Sequence, residues 1–129
     1  MELMTPVSPG ELLDKLTILD IKSERIQDAD KLANVAHEKS LLEKVWHDSL
    51  LETDDTIRLR AELKKINEQL WDIEDAIREE ERAKRFGERF IELARAVYVT
   101  NDQRAAVKKA INETLGSRIV EEKSYSDYR

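Results

Sequence analysis

The sequence predicts an all-α protein, a four-helix antiparallel bundle, on three observations. First, Leu59, Leu63, Ile66, Leu70, Ile73 and Ile77 follow one another at spacings of four, three, four, three and four. That alternation puts six apolar side chains on one seam of a helix spanning 56–82, and a 3.5-residue average is the pattern of a helix wrapped against partner helices. Second, 39% of the residues are charged and 40% hydrophobic, with three glycines and two prolines, and both prolines lie within the first nine positions. Nothing from Gly10 onward therefore carries a helix-breaking proline. Third, the amphipathic stretches are separated by short polar turns, and connections this short favour antiparallel neighbours. At 129 residues the chain suits one helical domain over 1–129, with an irregular N-terminus 1–7 and a C-terminal tail 117–129.

Helix one has a clear start. Ser8 suits the N-cap, Pro9 the first helical position, and Glu11 three residues on completes a capping box. The helix is expected to reach about Ile26. Leu12, Leu16, Leu19 and Ile26 form its main stripe, while Ile18 and Ile21 lie on the other side. Apolar character on two sides places a helix centrally in a bundle or against a second chain. QDAD at 27–30 is a polar turn with a capping aspartate, and helix two follows from about Lys31 to Leu51 with a stripe of Leu32, Val35, Ala36, Leu42, Trp46 and Leu50. Leu41 and Val45 sit off that stripe. ETDDT at 52–56 turns the chain into the long third helix and sets its acids at the positive helix end. Trp71 lies well off the seam, where it either covers a neighbouring helix or meets a second subunit. Gly87 is the expected break, and helix four starts near Glu88 with Phe90, Leu93, Ala94 and Val97. Gly116 suits the position after the last helical turn. The tail, SRIVEEKSYSDYR, is read as a short strand or as a segment laid along the bundle.

Composition narrows the chemistry. The absence of cysteine removes disulfides, thiolate metal ligands and cysteine nucleophiles together. No window approaches 18 uninterrupted apolar residues, and the first eleven residues lack a basic start and an apolar run, so neither a membrane span nor a signal peptide is expected and a cytoplasmic location is the default. The formal charge of −6, without a basic run interleaved with aromatics, argues against nucleic acid. The charge is uneven. Residues 1–52 carry six Lys/Arg against eleven Asp/Glu, whereas residues 84–129 carry ten against seven. Complementary halves that pack together explain this, and so does an anion site on the last helix. His37 and His47 are the only histidines and lie on different faces of helix two. Glu43 and His47 stand four apart, but an exposed charge pair accounts for them better, so no metal site is expected. No phosphate-binding glycine loop, nucleophile elbow or ferritin-like Glu-x-x-His occurs, and no cofactor is implied.

The candidate site is an interruption. Asn101, Arg104 and Lys108 fall on the same face of helix four as Val97, Ile111 and Leu115. Polar groups on a buried face need partners, because an unpaired buried charge is costly. One answer is a carboxylate- or phosphate-bearing ligand held by Arg104 and Lys108 and oriented by Asn101. A plainer one is that Thr100 and Gln103 form a second capping box, so that the chain kinks near residue 100 and restarts with Arg104 outside. Lys15, Lys22 and Arg25 make a matching basic edge on helix one, and Asn67, Glu74 and Arg78 flank the seam of helix three. A bundle that brings these together forms a polar pocket between helices. Snorkelling lysines and interhelical salt bridges are the alternative.

Two resemblances bear on this. The stretch LKKINEQLWDIEDAI is similar to the first helix of the all-α chorismate mutases, which implies a helical enzyme binding a dicarboxylate with inward-pointing Lys15, Lys22, Arg25 and Arg104. The phrases PVSPGELLDKLTILDIKSERI, KLANVAHEKSLL, LWDIEDAIREEE and RFIELARAVYVTNDQRAAVKKAIN, with EEKSY, cover most of the chain and resemble a small bacterial all-helical family of unknown function. That resemblance implies a helical protein of this length with no catalytic residues to transfer.

The sequence thus supports a non-catalytic interaction or scaffold module acting as a homo-oligomer, since off-stripe Ile18, Ile21, Leu41, Val45 and Trp71 exceed what one four-helix monomer hides. A homodimer, or a protein partner, is the expected company. The alternative is a small-anion binding protein or enzyme built on Asn101, Arg104, Lys108, Lys15, Lys22 and Arg25.

Overall fold

The structure, a computed structural model, describes residues 1–129 and contains four α-helices and no strands. They are α1 (Pro9–Arg25), α2 (Ala29–Ser49), α3 (Asp54–Arg82) and α4 (Glu88–Thr114). The all-helical fold and the order of elements are those the periodicity predicts.

Each start is capped as the local sequence requires. Ser8 accepts from the Glu11 amide at 3.2 Å, and Asp28 from the amides of Asp30 and Lys31. The reciprocal half of the expected Ser8–Glu11 box does not form, because the Glu11 carboxylate is drawn across to Lys108 on α4. A complete capping box appears instead at α3, between Thr53 and Thr56. It starts that helix at Asp54, two residues before the expected start at 56. Leu50, which closes α2, is left-handed (φ 59°) and 87% exposed, so it is not part of the α2 stripe. Gly116 has φ +64° just past the end of α4. The tail adopts no strand. It lies along α4, with Tyr128 donating to Asp102 at 2.6 Å and stacking edge-on against Tyr98.

The shortest helix is the most enclosed. α1 packs against all three others. It is antiparallel to α4, as the pairs Gly10–Asn112, Glu11–Lys108 and Asp14–Arg104 show. It also packs across α3, where Asp14 meets Asn67, Asp20 meets Arg60 and Glu24 meets Lys64. This explains its two apolar sides: Leu12, Leu13, Leu16, Leu19 and Ile21 are all buried. Ile21, expected to exceed what a monomer hides, is only 1% exposed. α2 flanks α1 and sends Trp46 into the core formed by Leu12, Leu13, Leu16, Leu59, Leu63 and Ile111. The close approach of α1 to α4 needs Gly10, where a Cβ would stand 2.6 Å from the backbone oxygen of Lys108.

The α3 seam is sealed unevenly. Leu59 and Leu63 are buried, but Ile66, Leu70, Ile73 and Ile77 are half-buried. Helix length is the reason. α1 has 17 residues and α3 has 29, so α3 outruns α1 by roughly 18 Å at 1.5 Å per residue. Beyond Arg25, which pairs with Asp72, α3 and α4 continue as a two-helix arm closed by the loop at 83–87.

Candidate functional site

Arg104 and Lys108 do meet a site, and α1 builds it. α4 is one uninterrupted helix through residue 100, with Thr100 buried, so the restart anticipated at Thr100–Gln103 does not occur and the polar face turns inward. There Arg104 forms a two-pronged pair with Asp14. Its Nε donates to Oδ1 at 2.9 Å and its Nη2 to Oδ2. Asp14 is 1% exposed. Asn67, from the middle of the α3 seam, donates to Asp14 Oδ1 and to Thr17 Oγ, both at 2.9 Å, and Thr17 donates to the Asp14 carbonyl at 2.8 Å. Three helices are thus joined through one carboxylate. One turn further along α4, Lys108 Nζ reaches Glu11 at 2.7 Å and Glu121 of the tail at 2.9 Å.

No buried side-chain nitrogen or oxygen lacks a hydrogen-bond partner. A buried ionic network is tolerable only when fully satisfied in this way. The bond to Asp14 holds the Arg104 guanidinium above the ordinary arginine pKa, against the effect of burial. Burial pulls the Lys108 ammonium down, but the hydrogen bonds to Glu11 and Glu121 outweigh it and hold its pKa above the usual lysine value. Two cations face three carboxylates here, so the cluster carries no net positive charge.

The remaining candidates do not join it. Lys15 is exposed, and Lys22 is half-buried with no ion pair. Arg25 pairs with Asp72 at the end of α1, its guanidinium 5.9 Å from the centre of the Trp71 ring. Asn101 is half-buried and makes no side-chain hydrogen bond. It lines an open cleft of about 550 Å³ with Ile18, Ile21, Leu70, Trp71 and Arg104, at the place where α1 leaves the α3–α4 pair. Asn67, Glu74 and Arg78 line the same cleft, so the polar flank of the seam and the polar face of α4 do come together. His37 and His47 are both exposed.

Sequence reasoning reached the cations and missed their partners. Asp14 stands at i, i+4, i+7 with Ile18 and Ile21, so it occupies the second apolar stripe of α1. An acid on one buried stripe and an arginine on another are complementary signals, and Asp14 was the signal available. Asn67 gave a similar one, four residues after Leu63 on the seam.

No helix is long and apolar enough to cross a membrane. No curated protein and no solved structure matches the chain. Residues 3–128 match a family described as of unknown function, DUF6165, and the chain belongs to that family.

Proposed function

We propose that the protein is a non-catalytic helical interaction module that acts as a homo-oligomer. One observation carries this reading. On a chain rich in charge, the α3–α4 arm leaves large apolar side chains open to solvent. Ile73, Ile77, Phe90 and Val97 are half-buried, and Phe86 and Ile91 are 53% and 54% exposed. Large apolar side chains exposed on an otherwise charged surface are characteristic of protein contacts. Light scattering tests the reading: at micromolar concentration and above, the particle mass should exceed the 15.0 kDa of one chain. A mass of one chain at every concentration would remove it.

The competing reading is a carboxylate- or phosphate-bearing ligand in the cleft. It is favoured by the unpaired Asn101 amide and by the three N–H groups of Arg104 that Asp14 does not take. It is disfavoured by the matched charges around Arg104 and Lys108, which leave an incoming anion no net attraction.

A further inference from the structure

The open cleft between α1, α3 and α4 has a buried polar group in its wall that the fold leaves half used. Asn67 is 5% exposed and lines the cleft. Asp14 Oδ1 is a carboxylate oxygen that only accepts, so the Asn67 amide must turn its Nδ2 toward it, and the same nitrogen donates to Thr17. Both N–H groups of the amide are thereby used inside the core, while Asn67 Oδ1 accepts from nothing in the chain. Since no sealed side-chain oxygen lacks a partner, that Oδ1 is open to the cleft that Asn67 lines. Arg104 is its neighbour, because Arg104 Nε and Asn67 Nδ2 each stand 2.9 Å from the same Asp14 oxygen. The three guanidinium N–H groups that Asp14 does not take belong to the same wall. An unused acceptor thus sits beside unused donors. Ile18, Leu70 and Trp71, all half-buried, give them an apolar surround.

An acceptor beside a donor matches a primary carboxamide, whose oxygen accepts and whose syn N–H donates along one edge. A single backbone peptide does not offer this edge, because its trans geometry points N–H and C=O in opposite directions. A carboxylate does not either. It has no N–H for Asn67 Oδ1, and it would meet Glu74 and Asp75 in the cleft wall. The geometry points to a glutamine or asparagine side chain of a partner polypeptide as the occupant of the cleft. Its carboxamide oxygen accepts from Arg104, its N–H donates to Asn67 Oδ1, and its apolar neighbours lie against Ile18, Leu70 and Trp71. A polypeptide fits better than a free molecule because the cleft is open on its outer side, whereas a small ligand needs most of its own surface enclosed. A side chain inserted from a larger surface is held by the contacts around it.

This inference rests on the reading of the protein as an interaction module and adds the chemistry of one contact. Light scattering tests self-association and a peptide titration tests the cleft, so the two fail separately. The full isotope-labelled chain is titrated, under nuclear magnetic resonance, with three peptides acetylated at one end and methylamide-capped at the other: leucine-glutamine-leucine, leucine-glutamate-leucine and glutamine alone. The glutamine tripeptide should shift the Trp71 indole N–H and the Arg104 Nε–H signals saturably. The glutamate tripeptide has the same shape but no N–H for Asn67 Oδ1, and it should bind at least about tenfold more weakly. Glutamine alone should bind at least about fivefold more weakly than its tripeptide, since the apolar flanks are missing. No saturable shift with the glutamine tripeptide, shifts confined to signals away from Trp71 and Arg104, or equal binding of the glutamate tripeptide would each overturn the carboxamide occupant. Equal binding of glutamine and its tripeptide would overturn the polypeptide as its source. A monomeric wild type would overturn self-association without touching the cleft.

Discussion

Replacing Asp14 by alanine is expected to lower stability by about 3 kcal/mol, because removing one partner of a buried pair leaves the other charge without compensation. The Arg104 side chain is 30% exposed and can turn partly to water, which keeps the cost at the low end for such pairs. Asn67 loses one of its two acceptors at the same time, so the loss is felt on three helices. In a chain of this size the melting temperature should fall by about 10 °C. The informative comparison is the double variant. Asp14→Ala with Arg104→Met removes both charges and should recover a substantial part of the loss, since an apolar replacement of an ion pair is often tolerated. If the single variant is neutral, Asp14 is not the joint of the three helices.

Leu63→Ala should cost about 3 to 4 kcal/mol, the range for a fully buried leucine whose site cannot collapse. Leu63 is 0% exposed, between Leu13 and Leu16 of α1 and Ile111 of α4 in one cluster. Ile77 occupies an equivalent place in the heptad pattern, yet it lies on the arm and is half-buried. Ile77→Ala should cost about 1 kcal/mol when measured on the dilute monomer. Thermal or denaturant unfolding of the two variants would show whether the seam has a sealed half and an open half. Equal losses would mean that the arm is covered within one chain.

The heptad made the fold readable. Six apolar residues at alternating spacings of four and three fix a helix and its buried face, and the Ser8 cap places the start of α1, whereas α2 is capped by Asp28 and starts at Ala29, two residues before the expected Lys31. The seam could not reveal where its cover ends, because burial beyond Leu63 depends on the length of a different helix. The α4 polar face was readable as an anomaly. The sequence of α4 alone could not decide between a ligand, a kink and an ion pair, because the deciding residue, Asp14, is 90 positions away on α1. Lys15 was misleading for a related reason. It neighbours Asp14 in sequence, but a step of one residue turns a helical side chain by about 100°, so Lys15 faces solvent. Glu121 lies in a tail without periodicity, and nothing local pointed it toward Lys108.

We propose that the cations of α4 belong to the fold, and that the protein offers its surroundings a surface rather than a pocket. The most direct measurement is the melting temperature of the wild-type chain titrated with phosphate, sulfate and small dicarboxylates at constant ionic strength. No saturable change is expected with any of them, because Asp14, Glu11 and Glu121 already occupy Arg104 and Lys108. A melting temperature that rises and saturates with one of these anions would contradict it.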